Sequence, residues 1–435
     1  MTYWCRTAVL ADGAHDGVRI SHAGGRITAI ESAVAARAGD IQLDTVFAGF
    51  GNAHSHAFHR VLRGRTHDDG GDFWQWRDSM YKAAAHLTPD SYRELATAVF
   101  AEMLADGYTA VGEFHYVHHQ PDGTPYADHA MERALAAAST DVGIRLTLID
   151  TCYLAGGIDA PLSRAQARFS DKTADGWLAR WYSLRDALAD YPLVTLGAAI
   201  HSVRAVPRSE LAVIAAGLPA DVPLHAHLSE QPQENADSLA AYGLTPTQVL
   251  ASAGLLTNRL TVVHATHLTD GDIALLGGAG VSVVMCPTTE ADLGDGIGPA
   301  RKLADAGAHI TLGSDQNAVI DPFLEARGLE AGERLASGQR ARFSPAALNR
   351  ALTSDGYSAL GLDGGLKIGA LCDLVELTST SVRTIGARAA QLPLVATASD
   401  VRRVIVGGVV VASSGLLANG RDPADRLASS LDGPQ

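Results

Sequence analysis

The sequence predicts an α/β fold: a closed (β/α)8 TIM-type barrel joined to a small β-sandwich domain built from both chain termini. Three observations carry this. Eight short β-rich runs recur between residues 44 and 317, each followed by a helix-like stretch or a long loop, and strands alternating with helices make a parallel sheet. The two ends of the chain read instead as short strands with Gly-rich turns and no good helix between them. The chain has 435 residues, 47% hydrophobic and 19% charged, enough to bury a barrel core of about 250 residues and a smaller unit beside it.

In chain order, residues 1–45 ("TAVLADGAHDGVRISHAGGRITAIES") supply the first half of the β domain. The barrel occupies residues 46–365. Its runs are "DTVFAGFGNAH" (44–54), "YTAVGEFHYV" (108–117), "IRLTLIDTCY" (144–153), "LVTLGAAIHSV" (193–203), "VPLHAHLSE" (222–230), "LTVVHATHL" (260–268), "VSVVMCPTTE" (281–290) and "HITLGSDQN" (309–317). One connecting helix carries its own boundary signals, with Thr88 as N-cap, Pro89 at the first helical position and Gly107 past the end. Residues 366–435 ("LKIGALCDLVELTS", then "VRRVIVGGVVVASSG") complete the β domain, and the last twenty residues are expected to fray. No internal repeat or long linker interrupts this order.

A formal charge of −14 and a pI near 5.6 argue against nucleic-acid and anionic-membrane partners. No basic-then-apolar leader opens the chain, and "VIVGGVVVASSGLL" is too short and Gly-broken to span a bilayer, so a cytoplasmic protein is expected. The four scattered cysteines fit reduced packing residues rather than disulfides or a thiolate metal site.

The first run ends in "HSH". Side chains alternate along a strand, so His54 and His56 share a face, and at the C-terminal end of a barrel strand that face looks into the mouth where active sites sit. The fifth run adds His225 and His227 with Glu230 just beyond, the sixth His264 and His267, and the eighth Asp315. Three imidazoles and a carboxylate suit zinc, with iron and manganese compatible with the same donors, and the expected ligands are His54, His56, His227 and Asp315.

The motifs "HSHAFHR", "FWQWRDSMY", "GEFHYVHH", "HSVRAV", "HAHLSEQ", "VHATH", "TTEADLGDG" and "GSD", in this order, resemble the formimidoylglutamate deiminases of the amidohydrolase superfamily over roughly residues 45–345. Two-metal members bridge their ions with a modified lysine at the end of the fourth strand. The four lysines here are Lys82, Lys172, Lys302 and Lys367, and His201 stands at that place, so one metal per chain is expected.

The resemblance implies zinc-dependent hydrolytic deimination of N-formimino-L-glutamate to N-formyl-L-glutamate and ammonia, in histidine degradation, by a homodimer. Glu230 lies three residues past His227, placed to take the proton of the attacking water and pass it to the imino nitrogen. His264 would hydrogen-bond the reacting centre, and Asp315 would combine ligation with proton transfer. His225 and His267 are expected to be deeper, structural groups. Arginines around a metal mouth in an acidic chain point to an anionic, amino-acid-derived substrate, since Arg77 and Arg204 can each hold a carboxylate through paired hydrogen bonds. By resemblance Arg77, Arg204, Tyr116, His201 and His59 bind the carboxylates and the formimino group. Three positions depart from the family pattern: His59 replaces a common Gln, Gln316 a common Ser, and Asp292 a common Asn. The aromatic run Phe73, Trp74, Trp76 and Tyr81 would either close over the substrate or pack its loop on the barrel. The alternatives are a nucleobase or nucleoside deaminase, a deiminase of another formimino or guanidino acid, and a non-catalytic barrel.

Overall fold

The computed structural model describes residues 2–67, 71 and 73–431. Four strands lead: β1 (Thr2–Leu10), β2 (Gly13–Ala23), β3 (Arg26–Glu31) and β4 (Ile41–Ala48). Eight follow, separated by helices and loops: β5 (Phe50–Ser55), β6 (Tyr108–His115), β7 (Arg145–Cys152), β8 (Val194–Ile200), β9 (Leu224–Leu228), β10 (Leu260–His264), β11 (Ser282–Met285) and β12 (His309–Leu312). The last are β13 (Leu374–Leu377), β14 (Val401–Val406), β15 (Val409–Ser413) and β16 (Leu416–Leu417).

Strands β5 to β12 pair in sequence order, each parallel to the next, as crossover connections between them allow. The barrel closes beyond the end of β12, where Asp315 N donates to His54 O and His56 N donates to Asp315 O, both at 2.9 Å. Gly313 permits this approach. A Cβ there would stand 2.8–2.9 Å from the His54 backbone and Cβ.

The strands of both termini join in one mixed sheet, ordered β16-β15-β14-β13-β4-β1-β2-β3, with β1 and β4 parallel and the other neighbours antiparallel. The apolar run at 44–54, read from sequence as one barrel strand, is two. Residues through Ala48 pair with β1 and β13, and the chain enters the barrel only after Gly49, so the boundary expected at residue 45 falls inside β4. Gly49 sits so tightly that a Cβ would come within 2.4 Å of Thr109 Oγ1, 2.6 Å of Tyr357 Oη and 2.8 Å of Asp373 Cβ. A one-residue break between two apolar strands leaves no mark on hydrophobic periodicity.

Asp373 fastens the sheet to the barrel. Its buried carboxylate accepts from Arg145 Nε at 2.6 Å and Nη2 at 3.0 Å, from Tyr357 Oη at 2.8 Å and from Gly407 N at 2.7 Å. The helix Pro89–Ala105 begins at Thr88, which forms a capping box with Ser91, and Gly107 beyond it has φ +112°. Against it packs a C-terminal helix, Pro423–Leu431, where fraying was expected; Pro423 and Leu427 are buried, while residues 432–435 lie outside the described residues. All four cysteines are buried free thiols, and among the described residues no helix is long and apolar enough to cross a membrane.

Candidate active site

The C-terminal ends of β5, β9, β10 and β12 gather His54, His56, His227, His264 and Asp315. Alternation along β9 turns His225 and His227 to one face, with His225 one layer deeper, where its Nε2–H donates to Ala359 O at 2.8 Å. His227 is fixed through Nδ1–H to His201 O at 3.0 Å, and His56 through Nδ1–H to Phe114 O at 2.9 Å. Both therefore present an Nε2 lone pair inward.

Those lone pairs converge. His227 Nε2 lies 3.2 Å from His54 Nε2, His54 Nε2 lies 3.3 Å from Asp315 Oδ1, and His56 Nε2 lies 3.4 Å from the same oxygen. A tetrahedron with metal–donor bonds of about 2.0–2.1 Å has donor–donor edges of about 3.3 Å. Two imidazole lone pairs facing each other in a dry interior repel unless a cation lies between them. Burial, reinforced by His54, holds the His56 imidazole down to about 3, and burial likewise keeps His54 and His227 well below the usual range, so all three are neutral donors. Donor atoms of His54, His227, His264 and Asp315 all lie within 4.8 Å of one another, and His56 joins them through the shared Asp315 oxygen, so imidazole nitrogens and a carboxylate oxygen gathered here fit a divalent cation such as zinc.

Strain accompanies the arrangement. Ser229, His264, Ala265, Asp315 and Asn317 all have positive φ, between 42° and 69°, at the barrel mouth, each costing of order 1–3 kcal/mol. A buried amide network holds these strand ends in return. Asn317 Nδ2 donates to Ser55 Oγ at 3.1 Å and to His56 O at 3.0 Å, and Ser314 Oγ donates to Asn317 Oδ1 at 2.7 Å.

Glu230 Oε1 lies 3.6 Å from His264 Nε2, whose ring is 3.9 Å from Asp315 Oδ2. Burial lowers the basicity of His264, but Glu230, Glu290 and Asp315 around it outweigh this and push it up to about 10. Glu290 is a site residue the sequence reading missed. It stands 3.6 Å behind His264 Nδ1 and is held by Cys286 N at 2.9 Å. Asp295, also missed, is raised to about 8 by burial and by Glu230, and accepts from Gln231. Both lie in "TTEADLGDG", whose carboxylates are the signal that could have marked them.

His56, His227, His264 and Asp315 floor a cavity of about 240 Å³ walled by His59, Trp76, Arg77, Tyr81, Tyr116, Tyr153, His201 and Arg204. His59 Nε2 meets Tyr116 Oη at 3.1 Å, and its Nδ1 is buried without a protein partner. Arg77 lies over the Trp74 ring at 4.4 Å on the helix Phe73–Ala85. Arg204 is shared, reaching Glu230 at 3.2 Å and Glu234 at 3.3 Å. His267 stands apart from the donors, its ring beside Gly296. Gln316 and Asp292, two of the departures from the family pattern, bond each other: Gln316 Nε2 donates to Asp292 Oδ2 at 2.7 Å outside the cavity wall. Of the three positions, His59 is the one that faces the cavity.

The sequence pattern of the amidohydrolase family matches residues 45–411. A formimidoylglutamate deiminase from Pseudomonas aeruginosa is 36% identical over 345 residues, 76% of each chain. An amidohydrolase crystal structure from Brucella melitensis superposes with a TM-score of 0.93 at 34% identity, covering 99% of this chain and 98% of that one. An adenosine deaminase from Xanthomonas campestris with bound zinc has a TM-score of 0.84 at 26% identity, covering 99% and 96%.

Proposed function

The chain belongs to the amidohydrolase family, a hydrolase acting on C–N bonds, and from that premise we propose that it hydrolyses N-formimino-L-glutamate to N-formyl-L-glutamate and ammonia. The observation that carries the substrate class is Arg77: a guanidinium stacked on Trp74 at the cavity wall, its buried Nε without a protein partner, in a chain of net charge −14. Such a group suits a carboxylate.

His54, His56, His227 and Asp315 would hold the cation, zinc by its donor preferences. The chemistry a divalent cation supplies in such a site is activation of water near neutral pH. Glu230 takes a proton from the attacking water and delivers it to the imino nitrogen as the water oxygen bonds to the formimino carbon; the second proton, on that oxygen, passes by way of Asp315 to the same nitrogen as the carbon–oxygen double bond forms, the carbon–nitrogen bond breaks and ammonia leaves. His264, set between Glu230, Glu290 and Asp315, donates to the reacting centre and steadies charge there. Tyr116, His59 and His201 orient the formimino group, and Arg77 and Arg204 hold the carboxylates, Arg204 exchanging one of its glutamates for substrate. The same reading makes the protein a cytoplasmic homodimer of histidine degradation, with neither nucleic acid nor membrane as partner.

The aromatic wall supports a second reading, a nucleobase or nucleoside deaminase, because a planar base stacks on such rings. Arg77 already covers the Trp74 face, which favours the dicarboxylate. Ammonia release from the zinc-loaded protein separates the two: N-formimino-L-glutamate should be turned over far faster than other formimino or guanidino acids, guanine, cytosine or adenosine. Preference for a base would overturn the assignment.

A further inference from the structure

Arg168 is the largest charged side chain fully buried in the barrel, 1% exposed, and among the described residues it makes no ion pair with a carboxylate. Its guanidinium is directed chiefly at backbone, with the Tyr126 hydroxyl as a further side-chain partner. It donates to Ala84 O, to Leu87 O at 3.0 Å and to His119 O at 3.2 Å, and its own carbonyl accepts from His119 N at 3.0 Å. Ala84 lies in the last turn of the helix Phe73–Ala85, whose final carbonyls lack helical partners and carry the negative end of its dipole. A buried cation without a counterion is costly, so its carbonyl partners are worth keeping only where their position matters.

The same short turn, Arg164–Phe169, grips that helix a second time. Gln166 Nε2 donates to Tyr81 Oη at 3.1 Å and to Tyr153 Oη at 2.8 Å, and the Phe169 ring lies 6.0 Å from that of Tyr81. The gripped helix presents Trp76, Arg77 and Tyr81 to the cavity. Neither Arg168 nor Gln166 lines it.

We propose that Arg168, acting with Gln166, is a positioning residue that fixes the Phe73–Ala85 helix by its C-terminal carbonyls and thereby sets where Arg77 meets the substrate carboxylate. This rests on the dicarboxylate reading given above. Arg168 touches no reacting atom, so its loss falls on substrate binding and not on the chemical step.

The test is a double-mutant cycle on the zinc-loaded enzyme with N-formimino-L-glutamate, using Arg168→Met and Arg77→Met. Arg168→Met should raise KM at least tenfold with kcat within threefold, and in the Arg77→Met background it should add less than a threefold change. Arg168→Lys, which keeps the charge and can reach a carbonyl, should recover part of the loss. Equal effects in both backgrounds, or a fall in kcat with KM unchanged, would overturn the proposal. Amide exchange decides the mechanical part whatever the substrate: Arg168→Met, or Gln166→Leu should Arg168→Met not fold, must speed exchange in residues 73–85 while leaving 89–105 unchanged. Uniform acceleration, or none, refutes the clamp. A parent enzyme that ignores N-formimino-L-glutamate refutes the substrate reading and leaves the exchange result to judge the clamp alone.

Discussion

Asn52 and Ser314 join the first and last strands of the barrel: Ser314 N donates to Asn52 Oδ1 at 3.0 Å, and Asn52 Nδ2 donates to Ser314 Oγ at 2.6 Å. Asn52 lies two residues before His54, and Ser314 directly precedes Asp315. The amide therefore holds together the two strand ends that supply three of the four donors. Asn52→Leu orphans buried partners at about 1–3 kcal/mol each and loosens the donor geometry. Metal affinity should fall about 10–100-fold, as for lost outer partners of metal ligands generally. Competition with a chromophoric chelator measures it, and unchanged affinity would separate this network from the site.

Glu230→Gln keeps the shape and the neighbours of the side chain but cannot accept the water's proton. Turnover should drop by about 10²–10⁴ while metal content stays at one equivalent. Arg204 retains Glu234, so the wall of the cavity survives the change. Near-normal turnover would take Glu230 out of the mechanism.

What the sequence shows and what it hides follow one physical line. Period-two alternation is local, so "HSH" and "LHAHL" reveal which imidazoles share a face, and eight apolar runs reveal eight strands. Gly49 hides because its demand comes from Thr109, Tyr357 and Asp373, which are remote in sequence. Arg168 reads as one more arginine in a loop until the carbonyls of Ala84 and Leu87 are placed around it. Gln316 and Asp292 stand 24 residues apart in sequence, and only the structure shows that they hydrogen-bond each other. The C-terminal helix is hidden for the same reason, since the burial of Leu427 depends on the distant helix Pro89–Ala105.

If a cation joins these side chains, chelation would leave the His227 and His54 nitrogens facing each other at 3.2 Å and the His54 and His56 nitrogens 3.3 and 3.4 Å from Asp315 Oδ1. Chelation should therefore lower Tm as well as abolish activity. The stabilisation regained on titrating zinc back follows mass action, about 2.7 kcal/mol at a hundredfold excess over Kd. His54→Ala and Asp315→Ala should bind well under one equivalent by elemental analysis. A Tm indifferent to chelator would argue that these side chains do not share a cation.

Asp373 serves stability and not chemistry. Asp373→Ala strips the partly buried Arg145 of its counterion and Tyr357 and Gly407 of their acceptor, and should cost about 3 kcal/mol, the lower end of the range for breaking a buried pair. Denaturant unfolding reads the loss. The KM of the surviving folded enzyme should stay within a factor of two, because the carboxylate lies at the junction with the terminal sheet, away from the cavity; a large KM change would show that the sheet shapes the pocket.

Asp106, which caps the helix Pro89–Ala105, carries the sharpest expectation for pH. Burial first, then the carboxylates of Glu102 and Asp321, raise its pKa to about 8, with Arg63 opposing. Between about pH 4 and pH 8 the folded state holds a proton that the unfolded chain has released, so this group's contribution to stability declines as pH rises through that window and levels off above it. Asparagine cannot ionise and suits the residue's αR cap conformation. Asp106→Asn should therefore match the parent near pH 4 and melt a few degrees higher at pH 8.5, the gap opening steadily between. Melting curves across that range test it, and a gap independent of pH would mean that Asp106 ionises as freely in the folded protein as in water.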